Sequence, residues 1–336
     1  MGKTFIVAEM SCNHVQRKDI AIKTIKEAAK AGADAIKIQT LTPDSITLNC
    51  NKPDFIIGKS LWEGRTFYDL YQEAYTPWEW HDEIFHVAKE EGLVCFSTPF
   101  SIEAVDFLES LGNPIYKIAS FEITDVQLIK KVASKKKPVI LSTGVAMEED
   151  IQLALDTIRA EGNNDITLLK CTSAYPAPIE DANMVTIPDM KQRFNCKIGL
   201  SDHTVGNTVP MVAVALGAEV IEKHFIVDKA LGGPDVAFSM TPDEFTEMVR
   251  SIRNVEKALG KVFYPIDPSK IRGREYCRSL YVAEDMKAGD VFTEKNVRSV
   301  RPGFGLHPKH LPVILGRTAA RDLKMGERFS LDMVGK

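Results

Sequence analysis

The chain has 336 residues, 44% hydrophobic and 26% charged, enough for one sizeable core plus a smaller domain and unlike a disordered composition. A net charge of −4 and a pI near 6.0 give no electrostatic reason to expect nucleic acid or membrane as partner, so an anionic ligand would need a local pocket. Six cysteines (Cys12, Cys50, Cys95, Cys171, Cys196, Cys277) without CxxC spacing read as reduced core thiols of a cytoplasmic protein, and no apolar run approaches the ~20 residues of a spanning helix.

In chain order, strand-like runs alternate with amphipathic helical ones. The runs are Phe5–Glu9, Ala35–Thr40, Leu93–Thr98, Tyr116–Ser120, Val139–Thr143, Thr167–Thr172, Lys197–Asp202 and Val220–His224. Helical patterns include Asp19–Ala29, Trp78–Glu91, Ile102–Ser110, Glu148–Ala160, Val209–Leu216 and Pro242–Leu259. Eight such units before residue 260 predict an α/β fold, a (β/α)8 TIM barrel over residues 1–260. An open doubly wound sheet is the alternative, but no G-x-G-x-x-G follows the first strand. Leu41 to Pro77 breaks the spacing with an aromatic-rich excursion, DFIIGKSLWEGRTFYDLYQEAYTP, too long for a βα loop. It is either a lid at the ligand site or a decoration with its own small core.

The alternation ends after Leu259. Residues 261–277, with Pro265 and Pro268, read as a linker, and 278–336 as a small, mostly β domain. That domain shows β-like runs at Ser279–Val282 and Val297–Val300, a stiff Arg301-Pro302-Gly303 turn, and doubled Asp-x-Lys-x-Gly turns at 285–289 and 322–326 that suggest an internal repeat.

Barrel strands buried on both faces should be apolar, so polar exceptions carry information. Glu9 ends the first strand, Lys37 and Gln39 share one face of the second, and Thr98 ends the third. Lys117, Ser120 and Glu122 lie in or after the fourth. Thr172, Ser173 and Tyr175 end or follow the sixth, and Ser201, Asp202 and His203 end the seventh. Two lysines facing one mouth with hydroxyls nearby make an anion site for phosphate or carboxylate. The plainer alternative is a pair of salt bridges to Glu9 and Glu122. His203 and His224 close adjacent strands at carboxyl ends, where two imidazoles suit a divalent metal, although either alone reads as a hydrogen-bonded core histidine. Gly232-Gly233-Pro234-Asp235 offers a flexible carboxylate or simply a turn.

These residues sit in motifs that resemble the sialic acid synthase family nearly end to end: IVAEMSCNH (6–14), IKIQT (36–40), FSTPF (96–100), YKIASFEIT (116–124), KCTSAYPAP (170–178), GLSDHT (199–204), EKHF (222–225) and GGPDVAFS (232–239). The segment RSLYVAEDMKAGDVFTEKNVRSVRPGFGLHP resembles the family's antifreeze-like (SAF) domain, and the aromatic excursion is similar to that of its pseudaminic acid synthases. The resemblance implies condensation of phosphoenolpyruvate with an acylamino-sugar, 2,4-diacetamido-2,4,6-trideoxy-L-altrose for that subfamily or an N-acetylmannosamine-type sugar otherwise. It implies Mn²⁺, Mg²⁺ or Co²⁺ on His203 and His224. Lys37, Lys117, Ser120, Ser173 and Ser201, with Thr98 beside them, would hold phosphoenolpyruvate, and Glu9 and Glu122 would handle protons. Gln39, Tyr175 and Asp235 would orient the sugar, and Arg301 would reach the barrel mouth of a partner subunit in a domain-swapped homodimer. Cys12 departs from the small or apolar residue of many relatives, which touches local packing only. A metal-dependent pyruvate aldolase, which would release no phosphate, and a non-enzymatic sugar-binding protein are the rival readings.

Overall fold

A computed structural model describes residues 2–264 and 267–335. Met1, Pro265, Ile266 and Lys336 lie outside the described residues, so Pro265, one of the two prolines of the expected linker, carries no structural account.

Eight parallel strands close into a barrel: β1 (Phe5–Glu9), β2 (Ala35–Thr40), β3 (Val94–Pro99), β4 (Tyr116–Ile118), β5 (Val139–Ser142), β6 (Ile166–Cys171), β7 (Lys197–Asp202) and β8 (Val220–His224). The strand predictions lie within two residues of these bounds. The largest difference is β4, expected through Ser120, which stops at Ile118 as the chain turns into a 3-10 segment at Ser120–Glu122. Helices Lys18–Lys30, His81–Glu90, Ile102–Ser110, Glu148–Ala160, Thr208–Ala215 and Pro242–Leu259 answer the expected helical patterns, and Val126–Ala133 and Thr186–Phe194 complete the outer layer.

The strand period of two sorts side chains between the two faces of the barrel wall. Outward residues such as Ile6, Ile36, Ile118, Leu168, Ile198 and Ile221 pack beneath the helices in the main core. Inward residues nearer the amino ends, Val7, Ala35, Phe96, Ile140, Leu169 and Val220, form a separate apolar plug. The inward positions nearer the carboxyl ends are the polar ones, so the barrel interior is sealed below and chemically equipped above. Gly199 of β7 makes the closure possible, since a Cβ there would meet the Val220 carbonyl at 2.5 Å and Leu169 Cδ2 at 2.6 Å.

The excursion forms a helix at Pro43–Ile46, a hairpin-like loop closed by the Ile56–Thr66 bridge, and a helix at Phe67–Ala74 capped by the Thr66 hydroxyl. It is fastened to the β1 loop: Gln16 Nε2 donates to the Glu73 and Tyr75 carbonyls, and His14 Nε2 meets Thr76 Oγ1 at 3.1 Å. Burial, with help from His81, lowers the His14 pKa to about 4, so this tie is made by a neutral ring.

Packing separates the chain into Met1–Gly260 and Lys261–Lys336. In the second unit, 3-10 turns occupy Pro268–Tyr276 within the segment expected as linker. Antiparallel strands β9 (Ser279–Val282) and β10 (Val297–Val300) pack on Phe292, Leu323 and Phe329. The doubled turns clasp each other. Lys287 Nζ lies 2.8 Å from Asp322 and Lys324 Nζ 2.7 Å from Asp285, and each aspartate also accepts a backbone N–H from the opposite turn, at Ala288 and Met325. Of the cysteines, Cys12, Cys95 and Cys171 are buried as expected, but Cys50 and Cys196 are half-buried and Cys277 is exposed. No described helix is long and apolar enough to cross a membrane.

Because the obstacles around Gly199 include backbone of β8, they cannot rotate away. Gly199→Ala should therefore destabilise the barrel by about 1–3 kcal/mol, read as a lowered denaturant midpoint, whereas a midpoint equal to that of the parent chain would mean the strands can separate to admit the methyl.

Candidate active site

At the carboxyl ends of the strands, a cavity of about 190 Å³ collects side chains from β1, β2, β4 to β8 and the excursion. A larger one, about 520 Å³, opens at the amino ends around Lys197, Asp165 and Glu219, without the convergence of buried polar groups seen above.

The upper cavity is built around a buried charge cluster. Lys37 Nζ lies 2.7 Å from Glu9 Oε2 and 3.6 Å from Glu222 Oε1, and Lys117 Nζ lies 3.7 Å from the same Glu222 oxygen. All four side chains are at most 5% exposed. Glu222 also accepts from the Ser201 hydroxyl at 3.1 Å, and Lys37 donates to Thr98 Oγ1 at 3.3 Å. Burial pushes the Glu222 carboxyl up, but Lys117 and Lys37 outweigh it and hold it at about 2. Glu9 goes the other way: burial raises it, aided by the charge on Glu222, and Lys37 only partly compensates. Burial lowers the Lys117 pKa. Of the pair of salt bridges that the sequence offered as the alternative, Lys37 with Glu9 forms, but Lys117 with Glu122 does not; Lys117 pairs with Glu222, and Glu122 lies past the early end of β4.

Glu122 is half-buried, and burial lifts its pKa to about 7 against the pull of Lys117. Its Oε2, like Oε2 of Glu222, has no hydrogen-bond partner among the described residues. Such a carboxyl exchanges protons at neutral pH.

The two imidazoles converge, with ring centroids 5.3 Å apart. His203 Nδ1 lies 3.0 Å from the Thr172 carbonyl, which can only accept, so Nδ1 carries a hydrogen and Nε2 is the nitrogen that a cation would meet. His224 Nδ1 lies 3.4 Å from Asp235 Oδ2 and makes no hydrogen bond. Among the described residues no three His, Cys, Asp or Glu side chains come together as a ligand set. Two converging imidazoles, His203 held by the Thr172 carbonyl and His224 with Nδ1 free of a hydrogen bond, would suit a divalent cation together with oxygen atoms from substrate and water.

Of the residues expected at the site, Glu9, Lys37, Gln39, Lys117, Ser120, Glu122, Tyr175, Ser201, His203, His224 and Asp235 line this cavity. Thr98 stands behind Lys37, and Ser173 behind Cys171, their Oγ and Sγ atoms 3.8 Å apart. Gly144 makes room here, donating its N–H to Ser120 Oγ where a Cβ would collide with Ser173. Arg301 belongs to the C-terminal unit, exposed just after β10. Asp202, named with the polar strand ends, faces the other way and pairs with buried Lys223 as part of the wall. Sequence reasoning missed Glu222 as a site residue, although it shares its strand face with His224. It also missed Ser142, Cys171 and Phe238, and did not single out Trp62, Leu70 and Tyr71, whose helix and loop reach the cavity.

Because the Glu122 pKa stands above the 4.5 of an unfolded glutamate, its contribution to stability is complete below about pH 4.5 and lost as pH rises through about 7. Glu122→Gln should therefore gain stability on the parent chain between pH 5 and pH 8 by about 2 kcal/mol, less than the full shift because the carboxyl keeps some solvent. Chemical denaturation at the two pH values measures it, and a constant difference between the two proteins would place the Glu122 carboxyl in water.

The chain matches the NeuB family over residues 24–264 and the SAF domain over residues 278–335. It is 50% identical to the pseudaminic acid synthase of Campylobacter jejuni, over 97% of this chain and 95% of that protein. It is 46% identical to the pseudaminic acid synthase of Helicobacter pylori, over 97% and 96%. The crystal structure of N-acetylneuraminic acid synthetase from Leptospira borgpetersenii, in complex with citrate, superposes with a TM-score of 0.73 at 30% identity, covering 82% of this chain and 91% of that one. A closed barrel with this polar mouth, followed by a SAF domain, and relatives alike over nearly their whole length lead to one conclusion: the chain belongs to the NeuB family.

Proposed function

We propose that the protein condenses phosphoenolpyruvate with 2,4-diacetamido-2,4,6-trideoxy-L-altrose and water to give pseudaminic acid and inorganic phosphate. The observation that carries this reading is the meeting, in one cavity, of two buried ammonium groups and two imidazoles 5.3 Å apart. An anion and a cation-polarised carbonyl can be held side by side only where both are supplied. The Campylobacter and Helicobacter relatives bear the name of this activity.

In this reading Lys37 and Lys117, with the hydroxyls of Ser120, Ser173 and Ser201, hold the phosphate and carboxylate of phosphoenolpyruvate. Gln39, Tyr175 and Asp235 orient the sugar. A divalent cation held by His203 and His224 would supply Lewis-acid polarisation of the sugar aldehyde when bound. The C3 methylene attacks the aldehyde carbon, forming the new C–C bond, and water adds at C2. Glu122, titrating near 7, takes the proton of that water, and Glu9, raised by burial, is the second proton-handling group, returning a proton to the former aldehyde oxygen. The C2–O bond of the phosphate ester then breaks, the proton of the new C2 hydroxyl leaves with the phosphate, and the 2-keto acid remains. Positioning two substrates and a water together contributes about 7–11 kcal/mol to such a reaction. The same proposal places Arg301 on an acylamino group, contributed by a second copy of the chain, and the reaction in the cytoplasm, where free thiols such as Cys12 and Cys171 persist.

Incubated with phosphoenolpyruvate, Mn²⁺ and a panel of amino-sugars, the protein should release one phosphate per nonulosonic acid formed, with the 2,4-diacetamido sugar turned over fastest; product without phosphate would identify a pyruvate aldolase instead. His224→Ala, stripped of metal and reloaded, should lose at least about 100-fold in kcat with an unchanged fold by circular dichroism. Near-parental turnover by that variant would remove His224 from the cation site.

A further inference from the structure

The aromatic excursion brings a hydrogen-bond donor into the cavity that the chemistry above does not use. Trp62 lies in a tight loop held by backbone bonds, Ile57 N to Arg65 O at 2.8 Å and Gly64 N to Ile57 O at 3.0 Å, with Gly64 at φ +83° closing the turn. Its indole lines the cavity, and its Nε1–H is buried with no acceptor among the described residues. Trp78, 16 positions later, shows the ordinary arrangement, its Nε1 donating to the Leu41 carbonyl at 3.0 Å. A buried donor left unpaired loses its water without gaining a partner, which is costly. An indole on the wall of a cavity that Leu70, Ala74 and Phe238 also line, with its N–H buried and unpaired, is placed to take an acceptor from a ligand.

Position says which acceptor. The Trp62 ring stands 5.9 Å from that of Tyr175, which stands 4.5 Å from that of His203, so the indole is one aromatic ring removed from the imidazole pair. With the reacting carbonyl at the imidazoles, the acylamino group on C2 of the sugar is one bond along the carbon chain from it, and the group on C4 is three bonds along, the farther of the two. We propose that the Trp62 indole N–H donates to the carbonyl oxygen of that distal acylamino group and thereby selects sugars that carry one. The lining supports the choice: an acyl methyl is apolar, and so are Ile46, Leu70 and Ala74, which the same segment brings to the cavity. The inference rests on the synthase reading above and names the residue that gives it specificity.

Trp62→Phe keeps the ring and removes the donor. It should raise the KM for the 2,4-diacetamido sugar about tenfold, with kcat and the KM for phosphoenolpyruvate within about twofold of the parent. In the parent enzyme labelled with ¹⁵N at its indoles, the Trp62 cross-peak should move downfield on addition of the 2,4-diacetamido sugar. It should stay in place with phosphoenolpyruvate alone and with the 4-hydroxy analogue, and the Trp78 peak should stay throughout. A stationary Trp62 peak, as expected if the N–H merely rests against the Tyr175 ring, overturns the proposal, as does a variant in which sugar KM is unchanged or both substrates suffer alike. Because the spectrum is taken on the parent chain, a poorly folded variant leaves the test intact. Absence of phosphate release by the parent enzyme with every sugar would bring down the synthase reading and this one together; phosphate release with a stationary peak brings down this one alone.

Discussion

Glu222 sits between two ammonium groups in the barrel mouth, and the rest of the cavity is arranged around that placement. Removing an ion from water costs several kcal/mol even after relaxation, so lysines at 4% and 2% exposure persist only if the geometry compensates them. Glu222 compensates both and takes a third contact from Ser201. One carboxylate shared between two cations leaves a surplus of positive charge whenever Glu9 is protonated, the form that burial favours. An incoming phosphate would neutralise that surplus, and its charge would favour the proton on Glu9 further. Anion binding and the protonation of Glu9 are thus coupled through Lys37, which contacts both carboxylates.

The scaffold reaches this arrangement through the simplest rule of β structure. With alternate residues pointing to one face, a strand such as β1 sends Val7 into the apolar plug and Glu9 into the mouth. The same step separates Val220 from Glu222 on β8, and Ala35 from Lys37 on β2. The pairing register then sets Glu9 beside Lys37 on one side and His224 on the other, and Ser201 beside Glu222. The buried carboxyls, the ammonium groups and the imidazole pair are neighbours because hydrogen-bonded strands leave them no alternative.

This explains how far the sequence could be read. The eight strands, and the polar residues that break their apolar pattern, follow from period and composition, and eleven expected residues do meet in the cavity. Glu222 was equally exposed to that reasoning, since it shares a face with His224, but its meaning depends on which lysines lie across the barrel. Asp202 carries the opposite lesson: an acid at a strand end, one residue out of phase, belongs to the outer wall and pairs with Lys223. Lys117 takes Glu222 as its partner because β4 ends early, a matter of backbone that side-chain pattern does not reveal. The excursion is further out of reach, because its approach to the cavity depends on Gln16 and His14, fifty or more residues away in sequence.

The mouth that results is divided. Its β1, β2, β4 and β8 rim carries the charges, while the excursion, Tyr175 and Phe238 supply aromatic and aliphatic surface, and the rings of His203 and His224 lie between the two. A small, highly charged substrate and a larger deoxy-sugar with acyl groups therefore meet unlike walls, each desolvated against matching chemistry. Strands of a closed barrel cannot shift without disturbing the plug beneath them, so the anion half is fixed. A loop tied down by a few hydrogen bonds to the β1 segment can change length and composition at little cost to the core. In the proposed reading, the groups for the reaction and those for sugar choice reside in parts of the chain that are anchored differently, which is the condition for one to vary while the other is kept.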